Sequence, residues 1–107
     1  METISDSQFY DKVLSNDGLA VVFFTSGWCG PCRTMKNNLE KVTGKFVKYS
    51  KFYEIDTDDN FDAAMEFNVR SIPSVLMFKH GKLVSEIVGA VPDSVVADQI
   101  IKNTNSI

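Results

Sequence analysis

Leu19-Ala20-Val21-Val22-Phe23-Phe24-Thr25-Ser26-Gly27-Trp28-Cys29-Gly30-Pro31-Cys32 joins an unbroken apolar run to a pentapeptide holding both cysteines, the only tryptophan and one of three prolines. Residues 19–24 show no polar alternation and are rich in β-branched and aromatic side chains, which predicts a strand buried on both faces, at the centre of a sheet. Thr25-Ser26-Gly27 breaks the run, so the cysteines emerge at the strand's C-terminal end, the edge that carries sites in open α/β sheets. Beyond Cys32, Met35, Leu39, Val42 and Phe46 recur at helical spacing, with Arg33, Lys36, Glu40 and Lys45 on other faces. Pro31 suits a first helical turn, where its missing N–H costs nothing. Cys29 therefore falls near the N-cap and Cys32 one turn along, on one face and within disulfide reach after small adjustment. The free N–H groups and partial positive charge of a helix start favour thiolate over thiol at Cys29, which marks the stretch as a reactive redox site.

Upstream, residues 2–4 read as a short edge strand, and Ser5 with Gln8 as a capping box opening a helix over 6–15, with Phe9, Val13 and Leu14 as its apolar stripe. Asn16-Asp17-Gly18 is a turn signal. Downstream, 51–55 reads as a second internal strand closed by Asp56-Thr57-Asp58-Asp59-Asn60. That acidic stretch lacks the Gly and terminal Glu of a calcium loop, and is read as a solvated turn with helix-capping duty. Phe61, Ala64, Met65 and Phe67 mark a short helix, and Ser71-Ile72-Pro73-Ser74 separates it from a strand over 75–79. His80-Gly81 reads as a hairpin turn in which Gly81 supplies the positive φ, leading into a strand over 82–88. Pro92-Asp93-Ser94 opens a last helix with Val95, Val96, Ile100 and Ile101 as apolar positions. His80 reads as turn decoration, and Tyr10, Tyr49 and Tyr53 as packing or surface. The order βαβαβαββα describes an α/β protein with a mixed central sheet flanked by helices.

A chain of 107 residues fits one domain, here 1–107, with enough length to bury a core. Its net charge of -3 offers no basic footprint for nucleic acid. Glu2 and Asp6 stand where a secretory leader needs basic residues, and the longest apolar stretch is too short to cross a bilayer. A cytoplasmic protein without membrane attachment is expected. In that reducing compartment two closely spaced cysteines are catalytic or metal-binding rather than a structural staple. Zinc needs about four ligands, and two Cys with one His fall short, so no metal site is expected.

With Trp28-Cys29-Gly30-Pro31-Cys32 followed by Ser71-Ile72-Pro73-Ser74 and then Val88-Gly89-Ala90, the sequence resembles the thioredoxin family over essentially its whole length. The resemblance implies the thioredoxin fold and a thiol–disulfide oxidoreductase that reduces protein disulfides. It casts Cys29 as the attacking thiolate and Cys32 as the thiol that resolves the mixed disulfide. Pro73 matches the family's cis-proline, which would present the Ile72 backbone for strand-like pairing with substrate. Trp28, Gly30, Pro31, Ile55, Gly89 and Ala90 match the rest of the substrate groove and its apolar rim. The resemblance further implies disulfide-containing protein substrates, an NADPH-dependent flavoprotein reductase as electron donor, a monomer, and no cofactor beyond the cysteine pair. An accessory binding module, or a disulfide oxidant or isomerase, is the alternative; the Gly-Pro between the cysteines resembles the reducing branch.

Phe23 and Phe52 stand where the family usually carries a buried aspartate and a facing lysine. Two rings there avoid the desolvation cost of buried charges, but they remove the group held to take the proton of Cys32. Water, or the thiolate leaving during exchange, is then expected to serve, with slower resolution near neutral pH. Asn37 replaces a proline that often kinks the second helix, so a straighter helix is expected.

Overall fold

The central apolar run forms strand β2, Leu19–Thr25, in which every residue is buried. A computed structural model, describing residues 1–105, places it in the middle of a five-stranded sheet. The other strands are β1 (Glu2–Thr3), β3 (Ser50–Asp56), β4 (Ser74–Lys79) and β5 (Lys82–Val88), in the spatial order β1-β3-β2-β4-β5. β1 and β2 both run parallel to β3, while β4 is antiparallel to β2 and to β5. Four helical segments cover the sheet: α1 (Asp6–Phe9, continuing as a π-helical turn over Tyr10–Leu14), α2 (Gly30–Phe46), α3 (Asp62–Glu66) and α4 (Asp93–Asn105). The mixed α/β architecture and the element order agree with the sequence reading. α2 passes through Asn37 unbroken.

The pleat of β2 sends alternate side chains into two separate cores. Leu19, Val21 and Phe23 pack with Cys32, Met35, Leu39 and Val42 of α2, Phe52 of β3, and Val96 and Ile100 of α4. Ala20, Val22 and Phe24 pack on the opposite face with Phe9, Val13, Tyr53, Ile55, Leu76 and Phe78, and with Ala63 and Ala64 of α3. In this second layer Phe9 lies 6.5 Å from Phe24, 5.6 Å from Phe67 and 5.7 Å from Phe78, centroid to centroid. Phe67 and Phe78 meet edge-on at 4.8 Å. Burial of each such large side chain stabilises the fold by about 1.5–3 kcal/mol.

Several local features depart from the sequence expectations. The first helix changes after Phe9 to a wider turn, in which the Ser15 N–H donates to the Tyr10 carbonyl at 2.9 Å. The Gln8 side chain does accept from the Ser5 N–H, at 2.9 Å. Helix α3 is capped not by the acidic turn before it but by Asp6, whose carboxylate accepts from the Asp62 and Ala63 N–H groups at 3.0 Å each. In return Asn60 Oδ1 accepts from the Asp6 N–H at 2.9 Å. Among the apolar residues of this helix region, Ala63 and Ala64 are buried whereas Phe61 and Met65 are exposed. At the hairpin both His80 (φ 53°) and Gly81 (φ 78°) are left-handed, the pair of positive φ values that a two-residue type I′ turn requires. A Cβ on Gly81 would stand 2.9 Å from the Leu14 carbonyl oxygen, so packing as well as backbone selects glycine there. β5 buries only Ile87, and its pairing with β4 shifts register between Met77 and Phe78. Among the described residues no helix is long and apolar enough to cross a membrane.

Candidate functional site

β2 ends at Thr25, and the chain turns through Ser26-Gly27-Trp28 into α2. Cys29 is the N-cap of α2, with extended backbone (φ -99°, ψ 110°), and Pro31 lies in the first turn, where it gives up no hydrogen bond. A disulfide joins Cys29 to Cys32 across a Cα separation of 5.2 Å. The Cys32 N–H donates to Cys29 Sγ at 3.1 Å, so one otherwise orphaned helix-start donor points at this sulfur. The two sulfurs differ in access: Cys29 is partly exposed, whereas Cys32 is only 2% exposed and belongs to the core of the α2/α4 layer.

The turn that carries the cysteines is tied to the loop after β3. Ser26 Oγ donates to both oxygens of Asp58, at 2.8 and 3.0 Å, and itself accepts from the Trp28 N–H at 3.3 Å. Asp58 also accepts from the Gly27 N–H at 3.4 Å. The neighbouring Thr57 N–H donates to the Thr25 carbonyl at 2.9 Å. Part of the acidic stretch 56–60 thus holds the active loop in place. Trp28 itself projects into solvent, 93% exposed.

Two further segments singled out in the sequence belong to the same end of the molecule. The Ile72–Pro73 peptide bond is cis, and the Pro73 carbonyl accepts from the Gly89 N–H at 2.8 Å, which joins the proline loop to the end of β5. Ile72 packs against both cores, and Cys29 and Val91 pack against the α2/α4 layer. Gly89 has a φ of 89°, a left-handed conformation that favours glycine. Val91 is then held to α2, its carbonyl accepting from Asn38 Nδ2 at 2.8 Å and its N–H donating to Met35 Sδ at 3.4 Å. Gly30, Pro31 and Ala90 are exposed. Ile55 is a correction: it is fully buried in the layer of Phe9 and Phe24, on the far side of the sheet from Cys32, so it cannot form part of an exposed rim.

Phe23 and Phe52 lie together in the core that holds Cys32, both buried, so the interior beneath the disulfide is apolar. The sequence reading missed what stands beside it. Glu54 is paired across the sheet with Phe23, and its carboxylate lies 3.2 Å from the Lys36 ammonium of α2. Both line a cavity of about 300 Å³ whose wall includes Cys29 and Cys32. The signal was present in the strand period, since residues 52, 54 and 56 share one face. A larger apolar cavity, about 570 Å³, lies at the opposite end of β2 around Leu19, Tyr49, His80 and Val84, away from the sulfurs. Among the described residues no group of three or more His, Cys, Asp or Glu side chains is arranged to hold a metal ion.

A sequence model of the family described as Thioredoxin matches residues 1–102. The chain is 35% identical to the thioredoxin of Pyropia yezoensis over 99 residues, which covers 92% of each protein. It is 33% identical to thioredoxin 1 of Nostoc sp. over 100 residues, 94% of each. Against the chloroplastic thioredoxin M4 of Arabidopsis thaliana it is 39% identical over 89 residues, 83% of this chain and 46% of the relative.

Proposed function

We propose that in this chain, which belongs to the thioredoxin family and is a thiol–disulfide oxidoreductase with protein-disulfide reductase activity, Cys29 attacks the substrate disulfide and Cys32 resolves the mixed disulfide. The observation that carries the assignment is the asymmetry of the pair: Cys29 is the accessible N-cap sulfur that receives a helix-start N–H, and Cys32 is buried one turn on. In the reduced protein the same N–H and the helix dipole favour a thiolate at Cys29. That thiolate displaces one sulfur of a substrate disulfide, giving a mixed disulfide. Cys32 then attacks Cys29 Sγ, releasing the reduced substrate and leaving the Cys29–Cys32 disulfide.

The groove we propose for the substrate is formed by Trp28, Gly30 and Pro31 on one side and by Ile72, Pro73, Gly89 and Ala90 on the other. Ile72 would offer its backbone to an extended substrate segment. An NADPH-dependent flavoprotein reductase is the proposed electron donor, the cysteine pair the only redox group, a monomer the acting species and the cytoplasm its compartment.

Insulin reduction followed by turbidity, with dithiothreitol as donor, tests the core of this reading. Cys29→Ser should fall to the rate of the Cys29→Ser, Cys32→Ser double variant, and Cys32→Ser should accumulate a mixed disulfide. A wild-type rate no higher than that of the double variant would instead favour a binding module. Oxidation of NADPH in the presence of a flavoprotein thioredoxin reductase tests the donor.

A further inference from the structure

Resolution requires that Cys32 become a thiolate, yet this sulfur is almost wholly enclosed and the two large rings beneath it, Phe23 and Phe52, can accept no proton. The proton must leave through an opening that reaches the sulfur. The cavity of about 300 Å³ beside the disulfide is such an opening, with walls that include Cys29, Cys32, Arg33, Lys36, Glu54 and Asp56. It is roomy enough for several water molecules, each of which occupies roughly 30 Å³ in the liquid.

Of the two carboxylates on this wall, Asp56 is committed to its own turn, its Oδ1 accepting from the Asp58 N–H at 2.8 Å. Glu54 has no such backbone duty. Its side chain is 15% exposed, it projects from β3 on the same face as Phe52, and its strand neighbour in β2 is Phe23. Its two oxygens contact Lys36 Nζ at 3.2 and 3.4 Å. Lys36 lies one helical turn beyond Cys32, so the ammonium and the sulfur share a face of α2. The ammonium compensates the charge of a carboxylate drawn partly out of water, which would otherwise be costly. The other charged groups on the cavity wall are Arg33 from α2 and Asp56 from β3. β2 contributes Thr25, the turn after it Ser26 and Gly27, and β1 sets the uncharged Thr3 opposite Glu54.

We propose that Glu54, held by Lys36, is the proton acceptor for Cys32, working through water in this cavity. The proposal rests on the assignment of Cys32 as the resolving thiol. In the mixed disulfide the Cys32 thiol passes its proton to the Glu54 carboxylate. The thiolate attacks Cys29 Sγ, the bond from Cys29 to the substrate sulfur breaks, and the departing substrate thiolate takes up the proton from Glu54. Two cysteine sulfurs are oxidised, the substrate disulfide is reduced, and no proton is left unaccounted for.

The test is single-turnover reduction of a protein disulfide, with resolution of the mixed disulfide timed between about pH 6 and 9, in the wild type, Glu54→Gln, Glu54→Asp and Asp56→Asn. Glu54→Gln should slow resolution by about a hundredfold at the acidic end, the low range for a positioned base, and the deficit should shrink as pH rises toward the thiol's own titration. Glu54→Asp should keep the wild-type shape of the profile at a reduced rate. Formation of the mixed disulfide, measured in Cys32→Ser with and without Glu54→Gln, should be unchanged. Coincident wild-type and Glu54→Gln profiles, a loss of the same size at every pH, or a pH-dependent loss in Asp56→Asn in place of Glu54→Gln would each overturn the proposal. Failure of Cys32→Ser to form the mixed disulfide at all would overturn the assignment of the cysteines, and this role with it.

Discussion

Phe23 and Phe24 are consecutive, fully buried and of the same residue type, yet they enter different cores. Phe24 joins a layer in which Phe9 meets the rings of Phe24, Phe67 and Phe78, with Tyr53, Ile55 and the alanines of α3 alongside. Phe23 joins the layer that ends at Cys32 and opens, beside Glu54, into the cavity under the disulfide. One layer is built from aromatic and aliphatic side chains around Phe9; the other borders, at the end that carries the cysteines, a cavity lined by charged groups. The difference shows that a single strand can serve stability through one set of alternate side chains and reactivity through the other.

The largest effect should come from putting a charge into the site-bearing layer. Phe23→Asp loses a buried ring and leaves a carboxylate without a partner in an apolar interior, and should cost about 5 kcal/mol or more in urea unfolding at neutral pH. A cost under about 1 kcal/mol would mean that the cavity hydrates position 23 and that the layers are less distinct than described. Phe24→Ala, in the aromatic layer, should cost about 3–5 kcal/mol, while the insulin-reduction rate of the protein that remains folded stays at the wild-type value. A changed rate in that variant would break the division of labour between the two faces.

A smaller loss is expected for Asp6→Ala. It removes the acceptor for two N–H groups of α3, and a lost cap costs about 1–2 kcal/mol. Thermal unfolding measures it, and a change below a few tenths of a kcal/mol would show that water replaces the carboxylate fully. The smallest effect is alkaline. Burial, and after it the charge of Glu2, raise the Tyr53 phenol above its ordinary value of 10.0, with Lys12 acting in the opposite direction. The folded state therefore holds this proton more tightly than the unfolded chain. The associated stability is fully present below pH 10.0 and is lost as pH rises through the higher folded value. Urea unfolding of the wild type and Tyr53→Phe across that range should show a shallower alkaline decline in the variant.

Much of the site was legible because its signals are local. Pro31 and the spacing of Cys29 and Cys32 place the pair at a helix start with no knowledge of the rest of the chain, and the apolar run before them can only be a central strand. What the residues alone left open was set by contacts distant in sequence. The cap of α3 comes from Asp6, 56 and 57 residues away from the groups it satisfies, so the nearby acidic turn looked sufficient. Ile55 fits the family's pattern for a rim position, but the register of β3 turns it into the aromatic core. Glu54 falls inside the strand read over 51–55 and carries no signal of its own there. Only the pairing with Phe23 and the arrival of Lys36 from α2 show that it borders the cysteines. His80 sits in the hairpin turn that the sequence marks, and the structure adds only that its φ, like that of Gly81, is left-handed.

The margins of the sheet carry one more consequence, for behaviour in concentrated solution. An unpaired strand edge is a template on which other chains can aggregate, most of all when it is long, flat and apolar. Here one margin, β1, is only two residues long. The other, β5, exposes Leu83, Val84 and Val88, but it is interrupted by the register shift opposite Met77 and Phe78 and carries Lys82 and Glu86 among its apolar side chains. A margin of two residues and one that is bulged and charged are both poor templates for a second copy, so the sheet resists edge-to-edge association.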